Sequence, residues 1–404
     1  MPLSLNLDMI REARKRLAGV IHPTPLDHST TFSRLTGSEV YFKLENLQKT
    51  GSFKIRGAYN KIMSLTPEER DRGVIAASAG NHAQGVAYAA TKAGIRSVVV
   101  MPEGAPISKV VATRGYGGRV VLAGGGYDEA FEYACQMQKE TGATLVHGFD
   151  DPMVAAGQGT IGLELMDELP DLDAVLVPVG GGGLISGIAV AVKSLNPRVR
   201  VIGIQSRGAP AVYLSLKGGD RRELTSTATI ADGISVRRPG EFTLEIMRRY
   251  LDDIVLVDDE EISRAILMLL ERSKIVVEGA GAVPLAALLH GHVSLPAKKV
   301  VLVLSGGNID VNILSIIIER GLVKSGRIIR LRTVVTDQPG SLQRLLAVLA
   351  DVRANVISIN HDRIKPQVPL KQAEVELLLE TSDVEHIEKI MSALSREGYG
   401  VERI

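Results

Sequence analysis

A lysine stands just inside a predicted helix start, between a serine and a glycine. It is Lys54, in the segment Gly51-Ser52-Phe53-Lys54-Ile55-Arg56-Gly57-Ala58. Ser52 is a good helix cap, and the positive end of the helix dipole disfavours an ammonium ion in the first turn. Desolvation would lower the pKa of this amine further, and a neutral amine is a nucleophile for aldehydes. A single lysine is more often solvated than reactive, so Lys54 is a candidate that other motifs must support.

A run of four glycines, Gly180–Gly183, follows a predicted strand and opens a predicted helix. Backbone N–H groups free of side chains can wrap an anion at a helix N-terminus. No Lys-Ser or Lys-Thr pair follows, so the run is not a nucleotide P-loop, and the dinucleotide spacing with its acidic partner is absent too. The alternative is a flexible turn, but four glycines in a row carry a high entropic cost. The run therefore predicts a phosphate monoester held mainly by backbone.

Two further turns offer polar groups after predicted strands. In the segment from Ser78 to Gly85, the serine hydroxyl and the backbone N–H groups can receive a carboxylate, and the Asn81 amide can bond a phenolic oxygen. Ser305, before a Gly-Gly-Asn turn, offers a neutral hydroxyl to a ring nitrogen. Ordinary capping is the alternative for each turn, and His82 is equally well explained as a helix-start residue without chemistry. With the lysine and the glycine run, these turns indicate covalently held pyridoxal phosphate and amino-acid chemistry.

The elements that must position these residues alternate between short β-branched runs and longer helical patterns. Such alternation is typical of an α/β protein with doubly wound parallel sheets. The predicted strands are 74–78, 97–101, 119–122, 144–147, 174–179, 199–204 and 300–304. We predict a catalytic domain over residues 1–321, with a smaller subdomain, about residues 50–150, inserted in the larger one. The site is expected at the carboxyl ends of the strands.

The pattern changes after Gly321. Residues 322–327 are expected to form a linker, and residues 328–404 follow the order βαββαβ, which predicts an independent small module. An amphipathic helix is predicted over residues 1–19, without the apolar core of a signal peptide.

Charge and hydropathy exclude several classes of protein. The 404 residues carry a net charge of +1, so nothing argues for a nucleic-acid partner. No uncharged apolar run reaches the ~18 residues expected of a membrane span. The single cysteine, Cys135, excludes an internal disulfide. We predict a cytoplasmic protein with neither a nucleic-acid nor a membrane partner.

In this order and at these distances, the four motifs resemble the fold type II family of pyridoxal-phosphate enzymes, in particular the threonine and serine dehydratases. The resemblance covers about residues 5–320 and rests on residues 52–58, 78–85, 180–183 and 305–308. It implies two doubly wound, tryptophan synthase beta-like subdomains. The tail resembles an ACT domain, whose first turn is matched by Asp337-Gln338-Pro339-Gly340-Ser341-Leu342. One such tail is typical of the single-ACT form of threonine dehydratase.

The resemblance implies a role for each motif. Lys54 would carry pyridoxal phosphate as a Schiff base and, once displaced by the amino acid, take its Cα proton. The implied cofactor contacts are Lys54, Phe53, Asn81, Gly180, Gly181, Gly182, Gly183, Leu184 and Ser305. The implied contacts of the substrate carboxylate are Ser78, Ala79, Gly80, Asn81 and His82. A hydroxyl at the ring nitrogen makes the ring a weaker electron sink, which suits elimination better than transamination.

The implied reaction is dehydration and deamination of L-threonine to 2-oxobutanoate and ammonia. Related serine racemases carry a second serine in the asparagine loop, where this chain has Ala79, so racemisation is disfavoured. Their divalent-metal site aligns here with Gln205, Ala209 and Ala211, so we predict no such metal site. Glu278 approaches the ring in one interpretation and is a helix-cap or ion-pair residue in the other.

Several alternatives stay open. An L-serine dehydratase differs only in its pocket, a β-replacing synthase usually shows a different lysine motif, and an amino-acid sensor with an inactive catalytic part belongs to another class. The ACT-like tail implies an amino-acid effector near Pro339, Gly340, Ser341 and Leu342, between two copies in a homodimer or homotetramer. Inhibition by isoleucine with relief by valine would fit isoleucine biosynthesis, and its absence would fit a catabolic role.

Overall fold

The computed structural model describes residues 4–404, and residues 1–3 lie outside this description. The chain divides into two compact units, of which the first ends at Asp310 and the second spans Val311–Ile404. Of the amphipathic helix predicted over residues 1–19, the described part forms α1 at Leu7–Leu17, which buries Ile10, Ala13 and Leu17.

The first unit alternates strands and helices along most of its length. Its strands are β1 (Leu26–His28), β2 (Glu39–Lys43), β3 (Val74–Ala77), β4 (Ser97–Met101), β5 (Arg119–Leu122), β6 (Thr144–Leu145), β7 (Ala174–Pro178), β8 (Arg200–Ser206), β9 (Asp253–Val257) and β10 (Lys299–Val303). After α1, its helices are α2 (Thr30–Thr36), α3 (Lys54–Met63), α4 (Pro67–Arg72), α5 (Asn81–Lys92), α6 (Ile107–Gly115), α7 (Tyr127–Thr141), α8 (Pro152–Glu168), α9 (Gly183–Leu195), α10 (Ala211–Gly218), α11 (Glu241–Tyr250), α12 (Asp259–Met268) and α13 (Gly279–Leu289).

Six strands form the larger sheet, in the order β1-β2-β10-β7-β8-β9. All neighbours in it are parallel except β1 and β2. β10 is the last of these strands in the chain, yet it lies in the interior of the sheet, between β2 and β7. Its residues Val300–Val303 are fully buried, as expected of a parallel strand covered on both faces.

The smaller sheet is formed by the segment between β2 and β7. Its four strands are parallel and follow the order β5-β4-β3-β6. Every residue of β3 is buried, and α5, which follows β3, packs its small residues Ala83, Ala87 and Ala90 inward. The prediction of two parallel, helix-covered sheets is confirmed.

Some elements differ from the prediction. β1, β2 and β9 were not predicted, although β2 pairs with β10 along its whole length. The strand predicted over 144–147 ends at Leu145, because the chain then turns into a loop at His147.

The second unit begins with α14 (Val311–Lys324), so residues 322–324 of the expected linker are helical. There follow β11 (Ile328–Thr336), α15 (Ser341–Asp351), β12 (Asn355–Asp362), β13 (Gln372–Glu380), α16 (Val384–Arg396) and β14 (Val401–Arg403). These six elements have the predicted order βαββαβ and form one antiparallel sheet, β12-β13-β11-β14. Alternate residues of β11 and β13 are buried with Leu345 and Ile390 of the two helices.

Candidate active site

Lys54 is the first residue of α3, and its side chain is partly buried. Its Nζ donates a hydrogen bond of 2.8 Å to the carbonyl oxygen of Gly148 and lies 5.1 Å from the ring centroid of Phe53. Burial lowers the pKa of Lys54 from 10.5 to about 8, and the carboxylate of Glu278 opposes this shift. Near physiological pH a minor fraction of the amine is therefore neutral, which is far more than an ordinary lysine provides, and the neutral form is the one that a nucleophile requires.

The predicted cap of this helix is wrong. Ser52 is extended, with φ −164° and ψ 164°, and its backbone pairs with Gly306. Its buried hydroxyl has no hydrogen-bond partner in residues 4–404, whereas the N–H of Phe53 donates to the Ser305 carbonyl oxygen at 3.1 Å. The pairing with the loop after β10 holds Ser52 away from the helix. It also holds the backbone of Phe53, the residue before Lys54, against Ser305, which is 2% exposed.

The glycine run lies between β7 and α9, against the loop that holds the Lys54 amine. A Cβ on Gly181 would overlap the ring of Phe149, and one on Gly183 would lie 2.9 Å from the Phe149 Cα. Gly182 has a left-handed φ of +97°, and a Cβ there would be 2.6 Å from the Met247 methyl group. Close packing thus explains why these residues lack side chains, independently of any ligand.

The N–H groups of the glycine run are the evidence for an anion site. Within the described residues, those of Gly181, Gly182, Gly183 and Leu184 have no backbone or side-chain acceptor. The Gly181 carbonyl oxygen is held by the Thr243 hydroxyl at 2.6 Å, which fixes the run. Four free donors at the start of a 13-residue helix suit a phosphate group. The residues present therefore fit the phosphate of pyridoxal phosphate.

The asparagine turn lies between β3 and α5. The Ser78 hydroxyl accepts from the Gly80 N–H at 3.2 Å, and within the described residues the N–H groups of Ala79, Asn81 and His82 have no acceptor. These three donors can receive a carboxylate at the start of α5. The Ala79 methyl group packs against an apolar cluster that includes Ala83 and Val110.

His82 is a buried, neutral imidazole. Its Nε2 lies 2.8 Å from the Val146 carbonyl oxygen, so Nε2 carries the hydrogen and Nδ1 is an acceptor. Nδ1 has no partner in residues 4–404. Burial lowers the pKa of His82 to about 3, and the charge of Lys54 acts in the same direction. An anion in this turn would therefore be held by backbone dipoles rather than by an imidazolium ion.

The Asn81 amide contacts two distant segments. Its Nδ2 donates to both carboxylate oxygens of Glu278, at 2.7 and 2.9 Å. Its Oδ1 accepts from Nδ2 of Asn308 at 2.7 Å, and Asn308 also donates to the Thr50 carbonyl oxygen at 2.8 Å. The turn after β10 and the start of α13 thus meet at the amide predicted to contact the cofactor.

The loop from His147 to Asp150 was missed by the sequence analysis. Its Gly148 holds the Lys54 amine and its Phe149 packs on the glycine run. The His147 Nδ1 accepts from the Asp150 N–H at 2.8 Å, and the Asp150 carboxylate accepts from the N–H of Thr243 at 3.1 Å. The loop follows β6, and position at the carboxyl end of a parallel strand was the signal that could have found it.

The positions aligned with a metal site in related racemases form ordinary core contacts. The Gln205 amide accepts from the Tyr213 N–H at 2.9 Å and donates to the Val179 carbonyl oxygen at 3.3 Å, while Ala209 and Ala211 are buried. In the part of the chain that the structure describes, no group of three His, Cys, Asp or Glu residues is arranged to hold a metal ion.

None of the helices in residues 4–404 is both long and apolar enough to cross a membrane.

The turn predicted to hold an effector lies between β11 and α15 of the second unit. Gly340 has a left-handed φ of +87°, and Ser341 is buried and accepts from Arg344 at 3.1 Å. Pro339 is exposed, and Leu342 packs on the core of this unit. The N–H of Leu342 has no acceptor within residues 4–404.

Comparison with known proteins agrees with this geometry. Residues 17–306 match the family of pyridoxal-phosphate dependent enzymes, and residues 329–398 match the ACT domain. An L-threonine ammonia-lyase of Thermotoga maritima is 53% identical over 98% of this chain and 99% of its own length. One of Geobacter sulfurreducens is 51% identical over 98% of both chains.

Solved structures give the same family. A threonine deaminase from T.th. is 44% identical, with a TM-score of 0.72 over 76% of this chain and 99% of its own. A maize serine racemase is 38% identical, with a TM-score of 0.75 over 79% of this chain and 98% of its own. This chain belongs to the family of pyridoxal-phosphate dependent enzymes and carries a C-terminal ACT domain.

Proposed function

We propose that this chain is an L-threonine ammonia-lyase, which converts L-threonine to 2-oxobutanoate and ammonia. The observation that carries the proposal is the Lys54 amine, whose pKa is lowered to about 8 and whose acceptor, Gly148, lies in a loop that packs on a glycine run with four free N–H groups. Relatives named L-threonine ammonia-lyase match this chain over nearly its full length, which supports the choice of reaction and substrate.

Pyridoxal phosphate, when bound, supplies an electron-withdrawing ring that makes the Cα proton of an amino acid removable. In our proposal Gly180–Gly183 and Leu184 would donate hydrogen bonds to its phosphate, and Asn81 would donate to its ring oxygen. Ser305 would hold its ring nitrogen, and Phe53 would contact the ring. The four free N–H groups at the start of α9 support the phosphate assignment.

The chain's own residues would orient the substrate and transfer its proton. The turn from Ser78 to His82 orients the substrate by its carboxylate, with the free N–H groups of Ala79, Asn81 and His82 as donors. Lys54, as a neutral amine, takes the Cα proton and holds it as an ammonium ion for the departing β-hydroxyl group. The Ser305 hydroxyl would offer the ring nitrogen a neutral partner in place of a carboxylate, which would suit elimination better than transamination.

Racemisation is the second candidate, because a serine racemase is among the similar structures. It requires a second acid on the face of the substrate opposite Lys54. At the relevant position Ala79 offers a methyl group packed against apolar residues. This favours one-faced proton removal, and with it elimination.

A substrate panel that measures release of 2-oxo acid tests the proposal. We expect L-threonine to give 2-oxobutanoate faster than L-serine gives pyruvate, with no D-allothreonine, the product of inversion at Cα, formed. Borohydride reduction followed by peptide mass spectrometry should find the cofactor on Lys54. Faster release from serine would make the chain an L-serine dehydratase. If the cofactor-bound protein released no 2-oxo acid from any β-hydroxy amino acid, an amino-acid sensor would be the remaining interpretation.

The ACT unit supplies the regulatory part of the proposal. An amino-acid effector would bind near Pro339, Gly340, Ser341 and Leu342, between two copies in a homodimer or homotetramer. The free Leu342 N–H at the start of α15 supports an acceptor such as a carboxylate there. Repeating the assay with isoleucine and valine, and with residues 328–404 deleted, tests this. If isoleucine or valine still changed the activity after this deletion, the proposed effector site would be contradicted. The cytoplasmic location stays a prediction.

A further inference from the structure

Glu278 is a buried carboxylate whose place in the reaction the sequence left open. It precedes α13 and is only 4% exposed, but its side chain makes no capping hydrogen bond to that helix. Within residues 4–404 it also forms no ion pair within 4 Å. Neither structural interpretation, a helix cap or an ion pair, therefore accounts for a carboxylate at this position.

The site is built to hold this carboxylate. The N–H of Glu278 donates to the Gly306 carbonyl oxygen at 3.1 Å. A Cβ on Gly306 would lie 2.5 Å from Oε1 of Glu278, and one on Gly233 would lie 3.2 Å from the same oxygen. Two glycines thus leave room for the carboxylate, whose two oxygens both contact Nδ2 of Asn81.

These contacts fix which way the Asn81 amide faces. A carboxylate only accepts hydrogen bonds, so the atom beside Glu278 must be Nδ2 and the other atom must be Oδ1. On the opposite side, Asn308 uses its two Nδ2 hydrogens on the Thr50 carbonyl oxygen and on Oδ1 of Asn81. The two hydrogens of a planar amide diverge, so one carboxylate cannot take both. One N–H of Asn81 stays available for a further acceptor.

We propose that Glu278 is a positioning residue, which holds the Asn81 amide in the one orientation that presents an N–H to the ring oxygen of the cofactor. This inference rests on the proposed function for its chemistry, because it assigns the acceptor to the cofactor. Glu278 touches no reacting atom in it and acts through Asn81.

The charges around Glu278 make its hold on Asn81 dependent on pH. Burial raises its pKa to about 7, and the carboxylate of Asp232 acts in the same direction. The hydrogen bond from Asn81 and the charges of Lys109 and Lys54 oppose the shift, and Lys109 pairs with Asp232 at 2.5 Å. A protonated Glu278 carries a donor of its own and no longer requires Nδ2 to face it. The ionised form, which dominates above about pH 7, is the one that orients the amide.

The test compares four holoenzymes: wild type, Glu278→Gln, Asn81→Ala and the double variant. We measure the absorption band of the bound cofactor between about pH 5.5 and 9, the dissociation constant of the cofactor, and kcat and KM for L-threonine. In Glu278→Gln we expect about tenfold weaker cofactor binding, the size of one lost hydrogen bond, and a shifted band. The wild-type band should change near neutral pH, and this transition should be absent in Glu278→Gln.

The double variant decides whether Glu278 acts through Asn81. Once Asn81 is alanine, Glu278→Gln should cause no further change in band or affinity. Glu278→Asp, which keeps the acceptor on a shorter chain, should restore the pH transition in part, and Asp232→Asn should move it to lower pH. The matched control is Asp128→Asn, a carboxylate paired with Arg237 in an exposed contact, which should behave as wild type.

Two results would overturn the inference. One is a Glu278→Gln holoenzyme with the wild-type band, affinity and pH response. The other is a loss of cofactor affinity from Glu278→Gln that is as large in the Asn81→Ala background as in wild type. Glu278 would then act independently of the Asn81 amide. These readouts do not depend on turnover. If the wild type released no 2-oxo acid from threonine, the proposed function would be contradicted. The absorption spectra and cofactor affinities would still test whether Glu278 positions Asn81.

Discussion

Lys54 and Arg56 are cations two residues apart on the first turn of α3, and their surroundings are opposite. Arg56 is fully buried and contacts Glu45 at 2.7 Å and Glu164 at 2.5 Å. Lys54 is less buried and has a carbonyl oxygen at 2.8 Å but no carboxylate within 4 Å in the described residues. Carboxylates raise the pKa of Arg56 despite its burial, whereas burial lowers that of Lys54 to about 8. The partners of a buried cation, more than its depth, decide whether it keeps its proton.

The two surroundings serve different ends. The ion-pair cluster joins α3 to the end of β2 and to α8, with the Thr160 hydroxyl 3.0 Å from Arg56 and the Lys43 amine 2.8 Å from Glu164. It anchors the helix turn that begins with Lys54. One short segment thus carries a guanidinium ion that keeps its proton and an amine that loses its proton more easily than an ordinary lysine.

The largest expected effect comes from removing the reactive member of the pair. Lys54→Ala should lower kcat for 2-oxobutanoate release by at least about a thousandfold, because both the covalent attachment and the proton acceptor are lost. It should also abolish borohydride-trapped cofactor. Turnover that survives this change would contradict the proposed mechanism.

Removing the structural member should act on stability instead. Arg56→Met leaves the fully buried Glu45 without its cation, and we expect the free energy of unfolding to fall by about 3–5 kcal/mol. Urea unfolding of the apoenzyme measures this. The double change Arg56→Met with Glu45→Met removes the uncompensated charge and should recover part of the loss. No recovery would mean that the packing of Arg56, and not the pairing, stabilises the turn.

The lowered pKa of Lys54 predicts how apoenzyme stability depends on pH. Between about pH 8 and 10.5 the unfolded lysine keeps its proton while the folded one has lost it. The unfolded state then binds more protons, so stability should rise with pH, by at most about 1.4 kcal/mol per pH unit. Lys54→Met should lack this rise. Equal pH profiles of the two apoenzymes would show that the amine titrates near its ordinary value.

The smallest expected effect concerns an exposed cation with the same kind of partner as Arg56. Arg237 pairs with Asp128, and both side chains are about half exposed. Arg237→Met should change the free energy of unfolding by less than about 1 kcal/mol, because solvent and salt screen such a pair. A fall in the free energy of unfolding as large as that of Arg56→Met would contradict the view that a buried ion pair contributes more than an exposed one.

The sequence indicated Lys54 and Gly180–Gly183 as candidates, because residue type and order along the chain are enough to single them out. It did not indicate the contacts that surround Lys54 and Arg56. The partners of Arg56 lie in separate elements, and Glu164 is 108 positions away. The acceptor of Lys54, Gly148, is 94 positions away. Such pairings depend on how the sheets bring distant loops together, which spacing along the chain does not encode.

The same limit explains the elements that were missed. The short apolar runs of β2 and β9 are masked by charged residues at their ends, which are Glu39 and Lys43 in β2 and Asp253 in β9. Ser52 has the residue type of a helix cap, but pairing of its backbone with Gly306 overrides that preference. Local propensity fails in both cases because tertiary hydrogen bonds are stronger determinants.

The interior position of β10 has a consequence for synthesis of the chain. β2 and β7 have no common neighbour until the ribosome has made Val303, roughly 260 residues after β2. At about 5–20 residues per second this takes roughly 13–50 s. During that time β2 exposes an apolar strand edge, and once Pro178 has been made β7 exposes one too; such edges are templates for aggregation. Nascent or truncated chains that stop before β10 should therefore depend on chaperones, and limited proteolysis of ribosome-bound chains would reveal it.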